Sequence, residues 1–228
     1  MDLKERHKDE MKYWDEEVEK LERDKKSLKF SNPLNYQQYF SVYLPYRCVL
    51  DFFGDIKDKV ILDMACGTGW TSVYFARSGA KVYNFDISPK SVEIAQKVAR
   101  DNGLGDTIFS EVMTAEDLKY EDNFFDFVFG NSALHHFDLE KAVPEIVRVL
   151  KPGGKASFID DLRYHPLMFI YRRLFPEKHT HYEQPLSFSE IRKIGSCFSK
   201  MEAAPFGLFS LLPRNRALRK TLDPLDSF

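Results

Sequence analysis

The chain has 228 residues, 43% of them hydrophobic, enough to bury one substantial core with room for a small cap. Its net charge of −2 speaks against a large electropositive face for nucleic acid. Cys48, Cys66 and Cys197 show neither CxxC spacing nor a paired framework, and no early leader-like run or membrane-length apolar stretch occurs. A reduced, cytoplasmic protein without stable membrane insertion is expected.

Residues 1–29 are dense in Lys and Glu, yet Met11, Trp14, Val18, Leu21 and Leu28 recur at three- and four-residue steps. That spacing predicts an amphipathic helix with a solvated outer face, docked on its own domain. Residues 31–53 are rich in aromatics (Tyr36, Tyr39, Phe40, Tyr43, Tyr46) and punctuated by Pro33 and Pro45. They read as helical segments that either cover a sheet or cap a pocket, so residues 1–57 form an N-terminal helical cap.

From Lys59 the pattern turns regular. Strand-like runs at 59–64, 80–86, 107–112, 124–130 and 154–160 alternate with helical patterns at 70–78, 89–102 and 138–150. The expected class is α/β: a doubly wound, mostly parallel sheet over residues 58–160, with helices on both faces. Lys151-Pro152-Gly153-Gly154 stops the last helix and turns the chain into the next strand. Regularity fades beyond Asp161. Residues 162–175 mix large apolar side chains with Arg163, Arg172 and Arg173, as an amphipathic helix or lid would. Ser187 and Glu190 have the spacing of a capping box, and 198–212 offer one or two strands to complete the sheet. Residues 161–228 are thus expected to form an irregular C-terminal lid and substrate region.

Four places carry chemistry. The first strand ends in Asp63 and breaks into Ala65-Cys66-Gly67-Thr68-Gly69. Position 72, where a dinucleotide fingerprint needs its third glycine or alanine, is serine, and no Gly-Lys-Ser/Thr phosphate loop is present. Small residues there admit a ligand close to the backbone, and free N–H groups can bind a carboxylate. The second strand ends in Asp86-Ile87, a carboxylate for ribose hydroxyls beside an apolar surface for a purine; Asp86 as a mere helix cap is the alternative. Thr114-Ala115-Glu116-Asp117 follows the third strand and offers acids either to an adenine amino group or to a helix start. The fourth strand delivers Asn131-Ser132-Ala133-Leu134-His135-His136 to its carboxyl end, where ligands of open sheets bind.

In that order, these four elements resemble the class I S-adenosylmethionine-dependent methyltransferases, particularly the small-molecule branch with a Leu-His-His-Phe type of fourth motif. The resemblance covers roughly residues 58–160. It implies that Asp63 and Ala65–Gly69, with Cys66 and Thr68, lie beside the methionine part of the cofactor. Asp86 would hold the ribose, Ile87 and Ala115–Asp117 the adenine, and Asn131 with Ser132 the region of the sulfonium and amino group.

A sulfonium methyl needs chiefly an aligned nucleophile, to which a base adds for an alcohol or phenol. The base candidates are His135, His136, His165, His179, His181 and Asp161, of which His135, His136 and His181 are selected as catalytic. Tyr36, Tyr39, His179 and Tyr182 are the candidate substrate contacts. The two histidines of 179–183 lack the further spacing of a metal site, so no metal is assigned. The aromatics either wall an aromatic or lipid-like acceptor or are ordinary core material. The expected partner is a small-molecule acceptor methylated on O or N, with no nucleic acid, transient membrane contact at most, and a monomer or homodimer. A protein or RNA methyltransferase and a non-catalytic cofactor-binding module are the rival readings.

Overall fold

The computed structural model describes residues 2–23, 44–164, 166–175, 180 and 182–204. In chain order its helices are α1 (Leu3–Arg23), α2 (Leu44–Phe53), α3 (Trp70–Arg77), α4 (Pro89–Asp101), α5 (Leu139–Val149), α6 (Pro166–Leu174) and α7 (Phe188–Ser196). Its strands are β1 (Val60–Met64), β2 (Lys81–Asp86), β3 (Ile108–Val112), β4 (Phe125–Asn131) and β5 (Leu150–Ile159). Tyr36, Tyr39, His165, His179 and His181 lie outside the described residues.

The strands form one all-parallel sheet in the order β3-β2-β1-β4-β5, as the alternation of strand and helix patterns requires. β1 and β4 are buried along nearly their whole length because both faces of a parallel sheet are covered. On one face Phe53 of α2 stacks on Phe127 of β4 at 4.6 Å, and Phe75 of α3 meets Phe129 edge-on at 5.4 Å. Ile61, Val82 and Ala99 join the same cluster. Chain order reverses at the β1–β4 pair. Connections leave their carboxyl ends in opposite directions there, opening the crevice in which open α/β sheets bind ligands.

One boundary differs from the sequence reading. β5 begins at Leu150, directly after α5, rather than at 154. Leu150 pairs with Phe125 before the chain loops out, and pairing resumes at Lys155 with Phe127. Gly154 makes this turn feasible, since a Cβ there would stand 2.9 Å from the Lys151 carbonyl oxygen and 3.0 Å from that of Asp126.

Compact packing divides the chain into two units, Met1–Asp160 and Asp161–Phe228, so α1 and α2 belong with the sheet. Within the second unit, Leu162 and Leu186 form a single parallel bridge, and Arg172 pairs with Asp161 at 3.0 Å and Glu183 at 2.6 Å. Its described residues add no strand to the sheet: 198–204 follow the turn that closes α7, and 205–212 lie outside the described residues. The capping box is formed as the spacing predicts, with Ser187 accepting from Glu190 N–H and Glu190 accepting from Ser187 N–H.

Candidate active site

The loop after β1 is built by backbone that only small residues adopt readily. Ala65, Gly67 and Gly69 all have positive φ, at 49°, 51° and 77°. Cys66 N–H donates to Phe85 O, and Gly69 N–H to Cys66 O, each at 2.9 Å. The two glycines serve different ends. A Cβ on Gly69 would meet the Ala95 Cβ at 2.9 Å, so this glycine lets α3 start against α4; a Cβ on Gly67 would meet nothing within 4 Å. Space therefore opens over Gly67. Thr68 is half-buried, as is Cys66, whose thiol is pushed well above its usual range by burial, with the charges of Asp86 and Asp63 adding.

Asp63 lies beneath this loop, almost fully buried. Its carboxylate accepts from Ser72 Oγ at 2.6 Å, and Ser72 Oγ in turn accepts from Asn84 Nδ2 at 2.7 Å. Serine at position 72 is thus a buried bridge between β1 and β2. Burial pushes the Asp63 carboxyl up to about 7, against the pull of the two hydrogen bonds from Ser72 and with a small addition from the Asp86 charge. Asp86 ends β2 and is also buried, which raises its carboxyl. Its Oδ2 accepts Gly67 N–H and its Oδ1 accepts Ser88 N–H, each at 2.9 Å. Ser88, not Asp86, caps α4, with its hydroxyl accepting from Ser91 N–H at 3.0 Å. Ile87 is half-buried beside it.

After β3 the chain forms turns rather than a helix, so neither acid there starts one. Ala115 is buried. Glu116 turns inward, accepting Asp138 N–H at 2.8 Å and facing His7 Nε2 at 3.1 Å. Burial works to raise its carboxyl, but these hydrogen bonds and the His7 charge hold it below the usual range. Asp117 points the other way, exposed and paired with Lys119. Arg148 clamps this segment: it donates to Leu118 O at 2.9 Å and Tyr120 O at 2.8 Å while pairing with Glu145 and Asp122.

At the end of β4, Asn131 is half-buried and pairs in register with Ile159. Exposed Ser132 has φ 52° and donates its N–H to Ile159 O at 2.7 Å. The 3₁₀ turn Leu134–His136 follows. His135 is buried with its Nδ1 against Asp160, and its ring lies 4.2 Å from that of His136.

Sequence reasoning missed two contributions. The strand-end acid beside His135 is Asp160, not the base candidate Asp161, which lies in the other unit and pairs with Arg172. Four polar residues of α1, a helix whose charges are expected on its solvated face, reach these loops. Arg6 Nη2 donates to His136 O at 2.5 Å, His7 meets Glu116, Glu10 lies 3.3 Å from His136 Nδ1, and Asp15 accepts from Ser88 Oγ at 2.5 Å. The available signal was the i, i+4 series Arg6, Glu10, Trp14, Val18, which lies along one helix face. Among the remaining candidates, Tyr182 is half-buried in the second unit.

A parallel sheet with a glycine turn after β1, an acid ending β2 and polar residues ending β4 defines a Rossmann-like nucleotide-cofactor domain. Residues 62–158 match the model described as a methyltransferase domain. The chain is 36% identical over 100 residues to norajmaline N-methyltransferase of Rauvolfia serpentina, covering 43% of this chain and 34% of that protein. It is 31% identical over 153 residues to ajmaline N-methyltransferase of the same plant, covering 65% and 49%. The YcgJ protein of Bacillus subtilis superposes with a TM-score of 0.58 at 25% identity, covering 66% of this chain and 65% of that one. Over residues 62–158 the chain is thus similar to the class I S-adenosylmethionine-dependent methyltransferases. It spans about a third to a half of the length of these two plant relatives.

The residues fit that cofactor. The open space above Gly67 leaves a cradle that a side chain would fill. A carboxylate offers about four acceptor positions, so Asp86 keeps capacity for a ribose diol after accepting the loop N–H groups.

Proposed function

We propose that this protein transfers the methyl group of S-adenosylmethionine to oxygen or nitrogen of a small molecule. Bound S-adenosylmethionine supplies an electrophilic methyl carbon on a sulfonium. In this reading the Ala65–Gly69 loop and Asp63 hold the methionine part, Asp86 the ribose and Ile87 with Ala115 the purine faces. Glu116 takes the adenine amino group, because Asp117 is turned to solvent. Asn131 and Ser132 border the reacting end. The chain's own task is to align the acceptor, exclude water and take up a proton, and His135 and His136 stand at the right strand end for the last.

The observation that carries the reading is the convergence of Gly67, Asp86 and the β4 end at the switch point of the sheet. A small acceptor is favoured by the net charge of −2 and by the named small-molecule substrates of the two N-methyltransferase relatives. The enzyme is read as cytoplasmic, a monomer or homodimer, with no nucleic-acid partner. No described helix is long and apolar enough to cross a membrane. Incubation with methyl-labelled cofactor and a metabolite extract should give a labelled small molecule by mass detection. Label confined to protein or RNA, or S-adenosylhomocysteine binding without any transfer, would overturn it.

A further inference from the structure

We infer that the exposed face of α6 docks the second unit on an anionic phospholipid surface. The inference needs no catalysis and stands independently of the methyl-transfer reading. α6 is held from one side. Arg172, with a side chain 18% exposed, pairs with Asp161 and Glu183, so the side of the helix that carries it is turned into its own unit. A helical turn takes about 3.6 residues, which sets Phe169 with Arg173 in one i, i+4 row and Ile170 with Leu174 in the next. Both rows face solvent. Phe169, Ile170 and Leu174 are 63%, 52% and 66% exposed, and Arg173 is exposed and forms no ion pair among the described residues. Single exposed apolar side chains are ordinary, but three on one face of a nine-residue helix make a patch.

The patch continues into a cavity of about 370 Å³ within the same unit, lined by Leu162, Arg163, Phe169, Arg172, Arg173 and Pro185. Phe169 and Arg173 belong to both. Apolar side chains beside guanidinium groups match an amphiphile with a phosphate head: the fork of an arginine binds phosphate oxygens, and its stem lies along apolar surface. Nine residues fall far short of the roughly 20 needed to span a bilayer, so the helix lies on the surface rather than through it.

Charge selects a lipid surface over a second copy of the chain. Residues 161–228 hold 11 Lys and Arg against 7 Asp and Glu, whereas residues 1–160 hold 22 against 28. The cationic excess thus belongs to the unit that carries the apolar face, the combination with which interfacial helices bind anionic lipid. A two-fold contact between copies would instead set the Arg173 rows of the two chains against each other.

Flotation of the full chain with vesicles tests the proposal. Phosphatidylcholine vesicles containing phosphatidylglycerol should bind it at least about tenfold better than phosphatidylcholine alone, and added salt should weaken the binding. Arg173→Glu should lower the affinity roughly tenfold or more, while Arg173→Lys should keep most of it. Ile170→Ser combined with Leu174→Ser should also lose at least about tenfold, since it removes the apolar anchor and leaves the charge. Lys97→Glu, at an exposed cation of α4 in the first unit, should change binding by no more than about twofold. If the double serine variant does not fold, the single substitutions at Arg173, an exposed position, still decide. Equal binding to both kinds of vesicle, no binding to either, or binding that ignores the α6 variants would overturn the proposal. So would a dimer in sedimentation velocity that the double serine variant abolishes, which would make this face a contact between copies.

Discussion

Gly67 and Gly69 are two positions apart and, in the sequence, look interchangeable as points of backbone access. Their surroundings separate them. Gly69→Ala combines a positive φ of 77° with a Cβ 2.9 Å from Ala95 Cβ, a contact between two packed helices. It should cost about 2–4 kcal/mol in urea unfolding, from left-handed strain plus overpacking. Gly67→Ala has the strain but no clash, so it should cost only about 1 kcal/mol. Its methyl group enters the space over the loop, and S-adenosylhomocysteine affinity in calorimetry should fall at least about tenfold, or 1.4 kcal/mol. Unchanged affinity in Gly67→Ala would remove this loop from the cofactor site. Asp63, Asp86 and the glycine spacing were legible because strand-end acids and small residues mark a cofactor turn locally. Asp160 was not. Two adjacent aspartates look alike in sequence, and only the strand's alternation and its register with β4 turn one of them to His135.

At the level of elements, strand and helix patterns placed the sheet to within a residue or two, except where β5 pairs once before looping out. The capping box of α7 was equally legible, since its chemistry spans three residues. The role of α1 was only half legible. Its apolar periodicity predicted docking, and Val18 is buried accordingly, but Arg6 and Glu10 are buried as well. Hydropathy cannot assign charged residues to an inner face, because their burial depends on partners supplied by distant loops. Glu10 accepts from Trp14 Nε1 at 3.1 Å and faces His136. Glu10→Gln should therefore loosen α1 locally by about 1–3 kcal/mol. In hydrogen exchange, amides of residues 5–20 should exchange at least about tenfold faster while those of β1 and β4 keep their protection. Acceleration throughout the sheet would instead make α1 part of the global folding unit.

At the scale of the whole molecule, the described carboxyl groups with displaced titration fall into two opposed sets, and together they give stability a maximum in mildly acidic solution. Glu116, Asp126, Glu145 and Glu190 all titrate below their usual range. For Glu145 the chief cause is Arg148; for the other three, hydrogen bonds and nearby charges outweigh burial. A depressed carboxyl binds fewer protons folded than unfolded, so these groups stabilise the fold above the ordinary carboxylate range and lose that contribution as pH falls. Asp63 does the reverse. Raised from 3.8 to about 7 by burial, it holds a proton in the folded chain over a range where the unfolded chain has lost it. Its contribution is intact below about pH 4 and declines as pH rises towards 7, by on the order of 4 kcal/mol once both states are ionised. Asp86, shifted in the same direction, adds to the decline. Urea unfolding from pH 3 to pH 8 should therefore give a free energy that rises, passes a maximum near pH 5 and falls. Asp63→Asn has no proton to lose and keeps a hydrogen-bonding partner for Ser72, so its curve should stay much flatter between pH 5 and pH 8. Equal slopes for the two proteins across that interval would show that Asp63 ionises freely in the fold, and that the bridge through Ser72 and Asn84 tolerates a buried charge.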